Sequence, residues 1–156
     1  MKRFLALLAV AALILALGFV FSIKDTAETP EPQQKVTPML VRSLMLGGRS
    51  VEVEVADTPS LRERGLSGGE ALLEGTGMLF VFAEEGLHSF WMKDMRFSID
   101  ILWLTSSGEI IHMEESVSPS TYPTTFLSQK PSTYVLELPA GYASVNGIRL
   151  GDRVTF

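Results

Sequence analysis

The chain contains no cysteine and only two histidines among its 156 residues. The absence of cysteine excludes a disulfide framework, a thiol nucleophile and a lipid-modified cysteine anchor, so stability has to come from a hydrophobic core. Neither histidine lies near a Gly-x-Ser-x-Gly motif. Residues 75–78, Gly-Thr-Gly-Met, lack the later glycine of a dinucleotide fingerprint. No recognised catalytic motif is present, which favours a protein that is not an enzyme.

Basic residues are scarce beyond the N-terminus. Lys2, Arg3 and Lys24 account for three of the 13 basic residues, which leaves 10 against 18 acidic residues and a net charge of −8 for residues 25–156. An acidic domain without a basic run is a poor partner for nucleic acid, and anionic lipid repels it. The composition therefore predicts no nucleic-acid partner.

Charge is also missing from the run between Phe4 and Ile23. Twenty helical residues rise roughly 30 Å, about the thickness of the bilayer hydrocarbon. The run predicts a signal anchor, a single transmembrane helix over residues 1–24. Because Lys2 and Arg3 precede it, the positive-inside rule places the N-terminus in the cytoplasm and the rest of the chain outside. Cleavage at the small residues 16–18 would instead give a secreted protein.

Two segments follow the predicted anchor. Residues 25–37, DTAETPEPQQKVT, contain two prolines and few apolar residues, which predicts an extended, disordered linker. Residues 38–156 are enough for one domain and too few for two.

The domain is dominated by short apolar runs with a period of two, which indicates strands. The first two runs flank Gly47 and Gly48, a hairpin signal. The predicted strands cover residues 39–46, 50–56, 78–82, 88–92, 101–105, 110–115, 133–138 and 153–156.

Helical signals are few. Thr58 and Pro59 predict the start of a short helix that ends at Gly65. One helical turn is expected at 140–146, and a long irregular loop at 116–132. The fold class is therefore a β-rich α+β domain, a small curled sheet or a barrel-like domain with one or two short helices.

The stretch FWMKDM at residues 90–95 mixes large apolar side chains with charges. As a strand it begins apolar on both faces, so residues 90–92 are expected to be buried on both sides. Lys93 and Asp94 would then lie where the strand ends, at the rim of the buried core. Trp91 is then a core residue by preference. The alternative is that it forms the floor of a binding site.

Two carboxylates, Asp100 and Glu137, interrupt apolar strands. A buried carboxylate has to be paired or hydrogen-bonded. The favoured interpretation is a structural network of ion pairs, for which Arg64 offers a bidentate partner. The sharper alternative is a polar pocket built by Arg64, Lys93, Asp94, Asp100 and Glu137.

Two further chemistries fit particular residues. Asp100 and Glu137 could hydrolyse an envelope carbohydrate or ester if they lie about 5–9.5 Å apart. His88, Met92 and Met95 form the pattern H-x-x-x-M-x-x-M, whose imidazole and thioethers suit Cu(I). Methionines in an apolar strand are more often gap-filling core residues.

Several segments in the same order resemble the uncharacterised DUF192 family, also called UPF0127. They are GMLFVF (77–82), FWMKDM (90–95), SIDILWL (98–104), YVLELPAG (134–141) and GIRLGDRV (147–154), preceded by Arg-Gly-Leu at 64–66. This chain has Asp94 where the family usually has Asn, Ser98 where it has Pro, and Leu66-Ser67 where it has Gly-Leu-Met. The resemblance implies a compact β-rich domain, often secreted or membrane-anchored in bacteria and archaea. It implies no reaction and no cofactor.

The resulting hypothesis is an extracytoplasmic domain that binds a small ligand, an envelope glycan or a partner protein. Its site is expected at a rim of Arg64, Lys93, Asp94 and Asp100. Trp91 would be the floor, and the loop carrying Tyr122 would be the lid, because long loops often carry function. The hydrolase with Asp100 and Glu137, and a purely structural module, are the alternatives.

Overall fold

The computed structural model describes residues 39–156. The elements of this part of the chain are β1 (Leu40–Leu46), β2 (Arg49–Ala56), α1 (Pro59–Arg64), β3 (Thr76–Gly86), β4 (Ser89–Trp91), β5 (Ile99–Leu104), β6 (Ile110–Val117), β7 (Thr125–Leu127), β8 (Ser132–Pro139) and α2 (Tyr142–Val145). The predicted β-rich α+β class is confirmed. The predicted anchor and linker lie outside the described residues, within which no helix is long and apolar enough to cross a membrane.

Six strands form a mixed sheet in the order β1-β2-β3-β8-β5-β6. The β2–β3 pair is parallel, and α1 lies in the connection between these strands, whereas the other neighbours are antiparallel. A separate two-stranded ribbon pairs β4 with β7. The six-stranded sheet is open, so the barrel-like alternative is wrong.

The C-terminal residues lie between the two edges of this sheet. Thr155 exchanges backbone hydrogen bonds of 2.8 and 2.9 Å with Met45 of β1, and the N–H of Val154 donates to the carbonyl of Gly108 at 2.9 Å. These contacts are isolated bridges rather than a ladder, and the strand predicted at 153–156 is therefore not formed.

Hydrophobic side chains cover both faces of the sheet. One face carries a core cluster, here the first core, that includes Leu44, Leu102, Leu136 and the α2 residues Tyr142 and Ala143. The other face carries the second core, which includes Met78, Phe80, Met92, Ile101, Trp103 and Val135. Every residue of β5 is buried, because a central strand covered on both faces has no wet side.

Helix α1 follows its sequence signals. The Thr58 hydroxyl accepts a hydrogen bond from the N–H of Leu61, and Gly65 ends the helix with a φ of 49°. Arg62 then fastens the helix, since its Nη1 donates to the carbonyl oxygens of Asp57 and Val81 at 2.8 Å each. The helix is thereby fixed against β3, which matters for the pocket described below.

The region around β4 departs most from the sequence-based expectation. The predicted strand at 88–92 is reduced to three residues, and the loop at 116–132 contains a 3₁₀ turn (Pro119–Thr121) and β7. Both segments are short, and their pairing joins residues far apart in sequence, as Ser89 pairs with Leu127. Such a contact leaves little local signal in the sequence.

Candidate functional site

Glu137 occupies the middle of β8, in the centre of the sheet. It pairs with Met78 of β3 and Ile101 of β5, and because directly paired residues point the same way, its side chain faces the second core. The residue is 5% exposed, and its Oε2 atom is buried without a hydrogen-bond partner. A buried polar atom without a partner is rare enough to require an explanation.

Close packing of two strands holds this residue in place. A Cβ added to Gly77 of β3 would lie 2.5 Å from the carbonyl oxygen of Glu137 and 3.0 Å from the Leu138 side chain. Only glycine permits this approach of β3 to β8. The position of the Glu137 backbone is therefore tightly constrained.

A pocket of about 410 Å³ opens beside Glu137. Volumes of roughly 300–1,000 Å³ are usual for small-molecule sites. Seven aromatic or other apolar residues share its wall with seven charged or polar ones and one glycine. The lining consists of Arg62, Glu63, Arg64, Gly65, Leu66, Ser67, Phe80, Phe82, Leu87, His88, Ser89, Phe90, Trp91, Met95 and Glu137.

The loop after α1 forms one wall, and two hydrogen bonds fasten it to the turn after β4. The Ser67 hydroxyl donates to the carbonyl of Lys93, and the Gly68 N–H donates to the carbonyl of Asp94, both at 3.0 Å. Asp94 has a φ of 57°, a left-handed conformation that Asp and Asn adopt more readily than other side chains. The residue at this position thus has a conformational role in closing the wall.

Aromatic rings form the deeper part of the pocket. Phe80 and Phe90 meet edge to face with centroids 4.8 Å apart, and Phe90 meets the buried Trp103 in the same way at 6.0 Å. Phe82 stacks on His88 at 3.4 Å. These contacts hold β4 over β3 and β5, and they present ring surface to any molecule that enters.

Trp91 lies at the mouth of the pocket. It is 51% exposed, so the expectation that residues 90–92 are buried on both sides is wrong for Trp91, although Met92 is buried. Lys93 Nζ lies 5.8 Å from the centroid of the Trp91 ring, and the Tyr122 ring meets it at 5.8 Å. Trp91 is therefore part of the rim and not the floor; the floor is Phe80 and Glu137.

The charges of the pocket are unevenly distributed. Arg62, Glu63 and Arg64 lie on α1 at one side. Burial raises the pKa of Glu137 to about 8, so this side chain is mainly a neutral carboxylic acid at pH 7. Burial lowers the pKa of His88, with a smaller contribution from the positive charge of Arg62. The pocket thus combines a neutral acid at its base with arginines on one wall.

Asp100 lies on the opposite face of the sheet. It pairs with Leu138, one position away from the Ile101–Glu137 pair, and successive side chains on a strand alternate between faces. Its carboxylate accepts hydrogen bonds from the N–H groups of Ser116 at 2.8 Å and of Gly141 and Ala143 at 2.9 Å. Asp100 therefore supplies the cap of α2, whose own cap residue makes no side-chain bond.

The structure brings together only part of the site predicted from sequence. Arg64, Trp91 and Glu137 line the pocket, Lys93 and Tyr122 contact Trp91, and Asp94 shapes the loop. Asp100 is separated from them by the sheet, so the carboxylates expected to act as a hydrolytic pair face opposite sides. Of the copper candidates, His88 and Met95 line the pocket, whereas Met92 does not and is buried in the second core.

The structural ion network, the favoured interpretation of the sequence, is not formed. Among residues 39–156 no Lys or Arg forms an ion pair with a carboxylate, and the one contact of a basic side chain with a carboxylate is a hydrogen bond of 3.1 Å between His112 Nε2 and Glu114 Oε1. Asp100 is satisfied by backbone N–H groups. Glu137 avoids the cost of a buried charge because burial raises its pKa, but its Oε2 is still without a hydrogen-bond partner. Neither arrangement can be predicted from the cations that the sequence contains.

Sequence reasoning missed most of the aromatic lining. Phe80, Phe82 and Phe90 were seen only as members of apolar strands. Their strand assignments could not show that the ring faces meet beside Glu137, since this depends on the β4–β7 ribbon folding over the sheet. One usable signal was present, the glutamate inside the otherwise apolar run YVLEL.

Comparison with known proteins places the chain in a family. The family model of DUF192, described as an uncharacterised ACR, matches residues 42–156, and the chain belongs to this family. No curated protein matches the chain.

The chain is similar to solved structures, among them two crystal structures. One, from Sinorhizobium meliloti 1021, is described as a "putative transcription regulator"; it is 33% identical with a TM-score of 0.71, and the match covers 76% of this chain and 95% of that one. The other, a protein of unknown function from Novosphingobium aromaticivorans DSM 12444, is 23% identical with a TM-score of 0.73, covering 78% of this chain and 89% of that one. The second likeness concerns the fold alone.

Proposed function

We propose that this DUF192 domain binds a small molecule in the pocket at Glu137. One observation carries the proposal: a carboxyl oxygen, Glu137 Oε2, is buried beside an open pocket and has no partner. A ligand group would supply the missing hydrogen bond, and the surrounding aromatic rings would supply apolar contact.

A small molecule is favoured over the two other expected partners, an envelope glycan or a protein. Only a small end group reaches a side chain that is 5% exposed. The regulator description of the Sinorhizobium protein suggests a nucleic-acid partner, but the acidic charge of this domain disfavours one. We propose further that residues 1–24 anchor the domain on the outer side of a membrane.

The binding proposal is tested with a fragment library and two tryptophan signals. Trp91 and Trp103 are the two tryptophans of the chain, so an ¹⁵N-labelled sample gives one indole N–H resonance from the pocket mouth and one from the core. Fragments that enter the pocket are expected to shift the Trp91 resonance. Trp91→Ala should weaken the hits, whereas Val145→Ala, an 85% exposed residue on α2, should not.

The proposal is wrong if no fragment shifts Trp91, or if both variants bind the hits as well as the wild type does. The anchor is tested separately by cell fractionation. The full chain should sediment with membranes, and a variant without residues 1–24 should not.

A further inference from the structure

The charge at the pocket differs from the charge of the domain that surrounds it. Besides the buried Glu137, the pocket lining contains two arginines, Arg62 and Arg64, and one further acidic residue, Glu63. Among residues 39–156 none of these three side chains takes part in an ion pair. A locally positive pocket in an acidic domain attracts small anions and repels cations.

The two arginines are held differently. Arg62 is committed to the carbonyls of Asp57 and Val81 and lies over the Phe82 ring at 5.1 Å. Arg64 is exposed, and its Nη2 contacts the sulfur of Met39, a weak acceptor that a ligand oxygen can replace. Arg64 is therefore the residue available to bind an anionic group at the mouth.

The base of the pocket favours an uncharged ligand group, unlike the mouth, which favours an anionic one. Glu137 pairs with Met78 and Ile101 and points to the face of the sheet that carries the apolar second core, so a second charge placed there would be desolvated. A neutral carboxylic acid has one O–H to donate. Its natural partner is an uncharged acceptor such as a carbonyl or hydroxyl oxygen.

We infer that the ligand is an organic acid with an apolar body, whose carboxylate binds Arg64 at the mouth and whose far end carries an uncharged oxygen that accepts a hydrogen bond from Glu137. The inference rests on the proposed function, since it names the class of molecule that the same pocket takes. The aromatic lining contacts the apolar body between the two ends.

The test uses the full chain in lipid nanodiscs and fragments in matched triplets. Each triplet presents one apolar core as the carboxylic acid, the primary amide and the amine. One such core is a phenyl ring with a para-acetyl group, attached through a two-carbon chain. The acid is expected to bind about tenfold tighter than the amide, the effect of one charge-assisted contact, and the amine more weakly still.

Arg64→Gln is the matched variant for the mouth. It should remove the preference for the acid over the amide while the amide binds as before. Arg96→Gln, which removes a charge outside the pocket lining, is its control and should change neither affinity. Loss of both affinities in Arg64→Gln would indicate a collapsed pocket wall, and it would contradict the role assigned to Arg64.

The contact with Glu137 at the base is tested by measuring affinity as a function of pH and by replacing the acetyl group of the ligand with an ethyl group. Because burial keeps Glu137 neutral up to about pH 8, affinity for the acetyl compound should fall about thirtyfold between pH 6.5 and 9.5 as the proton is lost. The other titratable groups that line the pocket are Arg62, Glu63 and Arg64 from α1 and His88 before β4, and Lys93 lies over the Trp91 ring at the mouth; β3 contributes the apolar Phe80 and Phe82. Glu137→Gln should bind with little pH dependence, and the ethyl analogue should show none in the wild type.

The outcomes separate the two proposals. If no member of any triplet shifts the Trp91 resonance, the proposed function fails and this inference with it. If triplets bind but amides or amines bind as well as acids, only the inference fails. Tighter binding of amines with rising pH would overturn it most directly, because Glu137 would then be the carboxylate partner of a cation.

Discussion

Asp100 and Glu137 are two carboxyl groups buried in neighbouring strands of one sheet, and they are stabilised in opposite ways. Asp100, on the face of the first core, accepts three backbone hydrogen bonds. Glu137, on the other face, has an oxygen with no partner, and burial raises its pKa to about 8. Asp100 has hydrogen-bond partners within the fold, whereas Glu137 Oε2 has none and is available to a ligand.

The contrast distinguishes a structural carboxylate from a candidate site. A buried group whose bonds are all made within the fold contributes to stability and gives no reason to expect a ligand. A buried group that lacks a partner and borders a pocket lowers stability unless it binds something. Four changes to residues 39–156, which contain both cores, test this difference.

The largest effect is expected for Asp100→Ala. It removes three hydrogen bonds to the Asp100 side chain and leaves three N–H groups unpaired, one of them fully buried, so the free energy of unfolding should fall by about 5 kcal/mol. Urea unfolding measures the change, with Glu115→Ala on the exposed part of β6 as the control. A loss close to that of the control would mean that Asp100 is not the structural residue described here.

Glu137→Gln, in contrast, should increase the free energy of unfolding at neutral pH. The folded wild type keeps a proton that the unfolded chain loses above pH 4.5, so wild-type stability should decline as pH rises from about 4.5 to 8. Between pH 5 and 7.5 the decline amounts to about 3 kcal/mol relative to the glutamine variant. Subtracting the two curves removes the contribution of His88, whose lowered pKa acts in the opposite direction. Parallel curves would contradict the account.

Gly77→Ala tests how firmly the backbone at Glu137 is held. The new Cβ would lie 2.5 Å from the Glu137 carbonyl oxygen, so β3 and β8 must separate, at a cost of about 2 kcal/mol. Thermal unfolding checks the loss. A neutral result would show that the two strands can move apart without penalty and that the pocket base is less constrained than we describe.

Trp91→Ala should have the smallest effect on stability. A buried tryptophan costs about 3–5 kcal/mol when truncated, but Trp91 is half exposed, and we expect about 1 kcal/mol or less. Denaturant unfolding measures it, and ligand binding should suffer far more than stability. A loss above about 3 kcal/mol would show that Trp91 is packed as a core residue and would contradict its place at the mouth of the pocket.

The sequence predicted those parts of the fold that depend on neighbouring residues. The Gly47-Gly48 turn and the Thr58–Gly65 helix are local and were found where expected, as were the predicted strands other than those at 88–92 and 153–156. The β4–β7 ribbon depends on two short segments far apart in the chain, and the open sheet edge depends on where the C-terminus returns. Neither has a periodic or turn signal of its own.

Only part of the candidate site was predicted, because the rest depends on contacts between distant segments of the chain. The sequence marks Glu137 and Asp100 equally, as charges inside apolar strands. Only the register between β5 and β8 shows that the two point to opposite faces. Trp91 was assigned to the core because its strand begins apolar on both faces and tryptophan is usually buried, and its exposure follows from β4 ending at that residue.

The most direct test of the account is the titration of the Glu137 carboxyl carbon. A ¹³C-glutamate-labelled sample of residues 39–156 is followed by NMR from pH 3 to 10, with Glu137→Gln to assign the signal. We expect one resonance, absent from the variant, to titrate near pH 8. If the signal assigned to Glu137 instead titrates below about pH 5, as exposed glutamates do, Glu137 is ionised at neutral pH, and the neutral acid at the base of the pocket does not exist.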